Sequence, residues 1–232
     1  MKNGNESLTC EKNHCFLCSN TIPEWKEIIA AKKKMVRFKK GETIFKEGEK
    51  VTGIYFLYEG AAKVHKQWIE EKELIIRFTR EGDILGHRGL ASGDTYPVSA
   101  TALTESKACF ISSSFLETLL KTDHSFSYRL LQFYAQELQK AEMRMRNLAL
   151  MEVKGRIAET LLELLQVYGT NKEGFISMAI TRQDIAAYSG STYETVFKFL
   201  KTLEISNLVA VSGKSIKIND PAALKKIADH SH

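Results

Sequence analysis

Four cysteines, Cys10, Cys15, Cys18 and Cys109, are the residues of this sequence with the most to offer chemically. Three fall within CEKNHCFLC, beside His14, and the fourth stands alone in SKACFI. A C-x4-C-x2-C run with one distant thiol is an iron–sulfur type of spacing, because such clusters are held by cysteine thiolates. The same thiols, with His14, are also a donor set for tetrahedral zinc, although adjacent His14 and Cys15 would reach one ion awkwardly. A third reading has no metal, and Cys109 between Ala108 and Phe110 is then an ordinary buried thiol. The polar start MKNGNESLTCEKNH has no apolar secretory core, and no apolar run approaches the ~18 residues of a membrane span. The chain is therefore expected in the cytoplasm, away from membranes, where clustered thiols serve metals more often than disulfides.

A second constellation lies in TRQDIAAYSGSTYETVFKFLKTL, residues 181–203. Thr181 can cap a first short helix with Ile185, Ala186 and Tyr188 on its apolar face. Ser189-Gly190-Ser191 breaks it, and Gly190 supplies the positive φ of a tight turn. A second helix starts near Thr192, with Val196, Phe199, Leu200 and Leu203 at helical spacing pointing inward. Tyr193, Glu194, Phe197, Lys198 and Lys201 are left on the outward side. That is the geometry that delivers side chains to a DNA major groove. Two short runs, 207–211 and 215–218, flank Ser212-Gly213-Lys214 and predict a hairpin wing, from which Lys214 and Lys217 can reach phosphates. An ordinary helical hairpin with a solvated face has no reason to carry one. Thr181 and Arg182, at the start of the first helix, join Thr192, Tyr193, Glu194, Phe197, Lys198, Lys201 and Lys214 as the expected DNA-binding residues.

The elements that position these groups follow from composition and periodicity. The 232 residues are 44% hydrophobic and 26% charged, which describes a globular chain of one or two domains. The net charge of +5 is misplaced for DNA binding, since residues 1–40 carry nine Lys/Arg against four Asp/Glu and residues 150–232 ten against nine. Electrostatics therefore adds little to the helix-turn-helix argument. Short strands separated by glycine run from about Val36 to Ile111 and predict a jelly roll. A helix from about Phe126 to Ala149 carries Leu131, Tyr134, Leu138, Ala141, Met145 and Leu148 in steps of three and four, a seam that favours a homodimer over a helix lying on the barrel. No Gly-rich phosphate loop, GxSxG or HExxH is present, so no enzyme is expected. The fold class is α+β, divided into a Cys-containing segment (1–30), a sensor barrel (31–124), a dimerisation helix (125–150) and a winged helix-turn-helix (151–232).

This order of elements resembles the CRP/FNR family of bacterial transcription regulators, and in its cysteines the FNR-like branch. KGETIFKEGE (40–49) resembles the family's first barrel turn, EGDILGHRGLASGDTYPVSATALTESKACFI (81–111) its ligand-pocket region with Gly86, His87, Arg88 and Val98, and 181–203 its DNA-reading pair. The resemblance implies a cyclic-nucleotide-binding-like barrel, double-stranded DNA and RNA polymerase as partners, and a homodimer on a palindromic operator. Cyclic AMP is not expected as the signal. His87 stands where cAMP-binding members place a carboxylate, and Pro97-Val98 where they place Arg-Ser. Cys15 and Cys18 after His14 resemble the oxygen sensor's HCxxC core, with Cys109 as its remote ligand and Cys10 as a substitute for a ligand missing after the pair. The recognition helix has Glu194 and Lys198 where the family uses Glu and Arg. Phe197 replaces a small polar residue, can pack on a thymine methyl, and predicts an operator altered at one step. The competing function is a metal-binding or small-ligand scaffold that does not touch DNA.

Overall fold

Alternation of apolar and polar residues produces strands where glycine-punctuated runs predict them. The computed structural model describes residues 15–69, 72–90 and 94–229, with the backbone alone for Ile69. Cys10, His14, His230 and His232 lie outside the described residues. Eight strands, β1 (Lys34–Phe38), β2 (Thr43–Phe45), β3 (Gly53–Glu59), β4 (Ala61–Ile69), β5 (Lys72–Arg80), β6 (Ile84–Leu85), β7 (Ser99–Ala102) and β8 (Ser106–Ser112), form two four-stranded sheets. Their orders are β1-β8-β3-β6 and β2-β7-β4-β5, the double-sheet arrangement of a jelly roll. In the β3–β8 pair Ile54 opposes Ile111 and Phe56 opposes Cys109, all buried, while Tyr55 and Phe110 pair on the other face with ring centroids 5.0 Å apart. Gly60 joins β3 to β4 at φ +91°, and a Cβ there would stand 2.3 Å from Ser106 Oγ, so no other residue fits this turn unchanged.

Helices close the barrel at its chain ends. The short α1 (Phe16–Asn20) and α2 (Pro23–Lys32) precede β1, and α3 (Ser113–Thr122) follows β8. None of the three carries a long apolar period, but Pro23 in the first turn of α2 and Ser112 as the α3 N-cap are legible signals. Phe16 inserts its ring against Phe56, Phe126 and Phe133, with centroids 6.4, 6.0 and 5.3 Å away. Asp123 is buried and accepts hydrogen bonds from the backbone N–H of Ile22 (3.0 Å) and of Phe126 (2.9 Å), so one carboxylate ties the N-terminal segment to the start of the next helix.

That helix, α4 (His124–Leu150), runs 27 residues, close to the predicted span. The described residues up to His65 group with Thr79–Glu137 into one compact unit, and Lys66–Phe78 with Leu138 onward into a second. The division falls inside α4. The second unit holds α5 (Val153–Tyr168), which ends on Gly169 at φ +63°, then α6 (Arg182–Ser189), α7 (Tyr193–Ile205), the hairpin β9 (Val209–Ser212) and β10 (Ser215–Ile218), and α8 (Pro221–Asp229). α8 is capped by Asp220, which accepts from Ala223 N–H at 2.9 Å; it buries Leu224 and Ala228 and its Lys225 pairs with Glu159 of α5 at 3.2 Å. Among the described residues no helix is long and apolar enough to cross a membrane.

Candidate nucleic-acid interface and sensor residues

The two helices of the predicted reading pair are α6 and α7, capped where the hydroxyls predict. Thr181 Oγ1 accepts from Asp184 N–H at 3.0 Å, and Thr192 Oγ1 accepts from Thr195 N–H at 3.2 Å. Both threonines are therefore occupied in shaping the helices, which limits what their hydroxyls can give to DNA. Gly190 sits in the left-handed region (φ +61°, ψ +43°) and turns the chain between them. Val196, Phe199, Leu200 and Leu203 are buried, so α7 is rotationally fixed and Tyr193, Glu194, Phe197, Lys198 and Lys201 stay exposed. Lys201 pairs with Glu204 at 2.8 Å, a bond that lowers the Glu204 carboxyl from its ordinary range and draws Lys201 along the helix. Arg182 turns its guanidinium over the Phe197 ring, 5.5 Å from the centroid.

The wing forms as predicted, with Ser212 opposite Ser215 and Lys214 exposed in the turn after Gly213, at φ +61°. Lys217 does not reach outward. Its Nζ donates to the Glu173 carbonyl at 3.3 Å and its stem lies along Gly174, so it braces the loop before α6 instead of a phosphate. Arg144, near the end of α4, donates to the carbonyls of Ile75, Ile76 and Tyr188, the last at 2.7 Å, and stacks 3.8 Å over the Tyr188 ring. Burial lowers its affinity for the proton, and these carbonyls offset the lost water.

On α4 the seam residues separate. Leu131, Leu138 and Met145 are 65, 61 and 64% exposed, Ala141 is exposed, and Leu148 is partly covered, lying beside Gly190. Tyr134 departs from the seam. It packs on the barrel cluster and its hydroxyl donates to the His87 carbonyl at 2.5 Å, while burial pushes its pKa to about 12. The cause lies outside the helix: the turn of His87 lies against this level of α4, meets the Tyr134 ring and takes its hydroxyl.

The residues expected to line an effector pocket divide in two. Gly86 takes φ +81°, and a Cβ there would press on the Tyr96 ring at 3.2 Å. His87 and Arg88 form a single 3-10 turn after β6 and are engaged by α4: His87 meets Phe133 and Tyr134 edge-on at 5.0 and 5.6 Å, and Arg88 pairs with Glu137 at 3.7 Å. Val98 is buried just before β7, in the opposite sheet.

Cys15 and Cys109 are buried in one apolar cluster with Leu17, Ile54 and Phe56, and Cys18 packs against it. Among the described residues no three Cys, His, Asp or Glu side chains are placed to hold a metal ion.

Comparison with known proteins assigns the class. The cyclic nucleotide-binding domain matches residues 35–123 and the Crp-like helix-turn-helix domain residues 155–227. The chain is 33% identical over 179 residues to the cAMP-activated global transcriptional regulator CRP of Salmonella typhimurium, covering 76% of this chain and 85% of the relative. It is 28% identical to the CRP-like cAMP-activated global transcriptional regulator of Mycobacterium tuberculosis, over 83% of this chain and 87% of that one. Among solved structures it resembles FixK2 from Bradyrhizobium japonicum, with a TM-score of 0.75 and 26% identity over 84% of this chain and 96% of that one. The chain belongs to the CRP/FNR family of transcription regulators and carries that family's helix-turn-helix DNA-binding domain. The scaffold reading gives way to this one.

Proposed function

We propose that this regulator acts in the cytoplasm as a homodimer on a palindromic operator, with its signal received by the N-terminal barrel and with RNA polymerase as a further partner. The observation that carries the dimer is the exposed row Leu131, Leu138 and Met145, one apolar side chain every seven residues on a helix whose other stripe is already buried. Such a row costs free energy in water and is repaid when a second copy covers it. Two-fold symmetry then presents two copies of α7, and the half-sites fall about one helical turn apart.

The spacing of Cys10, Cys15 and Cys18, with Cys109 remote, supports a signal carried by thiols. The four would hold an iron–sulfur centre, which supplies a redox site sensitive to oxygen and nitric oxide. Zinc is the second assignment for the same donors. Cyclic AMP, named as the activator of the relatives, is not carried over: His87 supplies no carboxylate beside Gly86, and Pro97 offers a cyclic phosphate neither cation nor N–H. The test is binding-site selection from random DNA, paired with sedimentation of the free protein. A palindrome bound by a dimer supports the reading. A monomer at micromolar concentration, or a selected site without two-fold symmetry, removes it.

A further inference from the structure

Tyr193 and Phe197 are large apolar side chains on a face that is otherwise charged. They stand one turn apart on α7, 43 and 40% exposed, with ring planes 14° apart and centroids at 6.4 Å. The core has no use for them, because Val196, Phe199, Leu200 and Leu203 already fill the inward face. Nor are they loosely held. Phe197 is held by both the Tyr193 ring and the Arg182 guanidinium over it, so its orientation is set before any ligand arrives. The Arg182 Nε is buried and makes no hydrogen bond among the described residues, while its charge also acts on the Glu204 carboxylate.

We propose that Tyr193 and Phe197 form a paired aromatic surface that reads the C5-methyl groups of pyrimidines, so that each half-site carries two thymines within one three-base-pair stretch. The inference deepens the operator reading above and rests on α7 entering the major groove. There, guanine, adenine and cytosine show only donors and acceptors at their edges, and thymine alone adds a methyl group. An exposed aromatic ring has little to offer a hydrogen-bonding edge, and desolvates it at a cost. It gains when it covers a methyl. The ring spacing of 6.4 Å is about two base steps of 3.4 Å, which sets the stretch over which the two methyls are read. Glu194 and Lys198, on the adjoining side of the helix, are left to read cytosine and guanine.

The experiment starts from the operator selected by the full-length protein and replaces each invariant thymine in turn by deoxyuridine, which removes the methyl and leaves the hydrogen-bonding edge intact. At the two positions read by the rings, affinity should fall about fourfold for each methyl lost. Phe197→Ser and Tyr193→Ser, both at exposed positions, should each bind thymine and deoxyuridine operators equally well at one of the two positions. They should retain preference for the selected site over random DNA. If every deoxyuridine operator binds as tightly as its thymine parent, the aromatic reading is overturned while the recognition-helix assignment stands. If selection yields no preferred sequence at all, the assignment of α7 as the reading helix fails, and the methyl reading with it.

Discussion

Arg88 and Glu137 form an ion pair at 3.7 Å that joins the turn after β6 to the middle of α4. Glu137 is 9% exposed, unusual for a carboxylate on a helix, and the pair sits one turn from the Tyr134–His87 hydrogen bond. The same short turn is thus held twice by the same helix, so a shift at Gly86–Arg88 must be felt on α4. Truncation of one partner removes the charge that balances a poorly solvated ion. Arg88→Ala should lower unfolding stability by about 1–3 kcal/mol, and Arg88→Ala combined with Glu137→Gln by less than the sum of the two single changes. Denaturant melts of the four proteins at fixed protomer concentration measure the coupling; strict additivity would show that the pair contributes nothing.

Dimerisation should fail when the exposed row on α4 is charged. Leu138→Glu places a carboxylate in the middle of the row without disturbing the barrel, since Leu138 is turned to solvent within its own chain. Sedimentation should change from dimer to monomer, with the far-ultraviolet spectrum kept. Operator affinity should fall by orders of magnitude as the two reading helices lose their linkage.

Lys198 and Lys214 should differ in kind. Lys198→Ala, on the exposed side of α7, should cost about 1–3 kcal/mol at a single base position and relax preference there. Lys214→Ala, in the wing turn, should weaken binding to all sequences alike and reduce the salt slope by about one. Lys217→Ala should affect DNA binding through loop stability only, because its amine already serves the Glu173 carbonyl. Affinities for operator and random DNA across a salt series separate the three.

Protein purified without air should be brown and should bleach on exposure to oxygen if Cys10, Cys15, Cys18 and Cys109 hold an iron–sulfur centre. Serine at any one of the four should abolish the colour. Iron, sulfide and zinc assayed on the same sample decide the metal: colourless protein without iron ends the cluster assignment, and one zinc per chain supports the second one.

Local chemistry was legible in the sequence where a residue acts on its neighbours. Thr181 and Thr192 cap the helices they precede, Gly190 and Gly213 turn the chain, and the inward set on α7 has the predicted members. Contacts made across the fold were not. Nothing in the spacing of Tyr134 distinguishes it from Leu131 or Leu138, since a 3-4 repeat and a 3.6 period diverge by only a fraction of a turn over so few residues. Its hydroxyl bond to the His87 carbonyl depends on a turn 47 residues away. Charge in a wing points Lys217 to a phosphate, and the loop whose Glu173 carbonyl it meets has no periodic signature. The aromatic pair on α7 was visible as two residues, and its ring geometry only as a structure.

Asp123 shares one carboxylate between Phe126 at the start of α4 and Ile22, 101 residues before it. Undocking of the N-terminal segment and fraying of the helix start are therefore a single opening event, and the amide protons of Ile22 and Phe126 should exchange with solvent at rates that rise and fall together. In kinetic terms the segment that bears Cys15 and Cys18 keeps time with the helix that bears Leu138. A modification that loosens the first registers in the second as a change in where the helix begins.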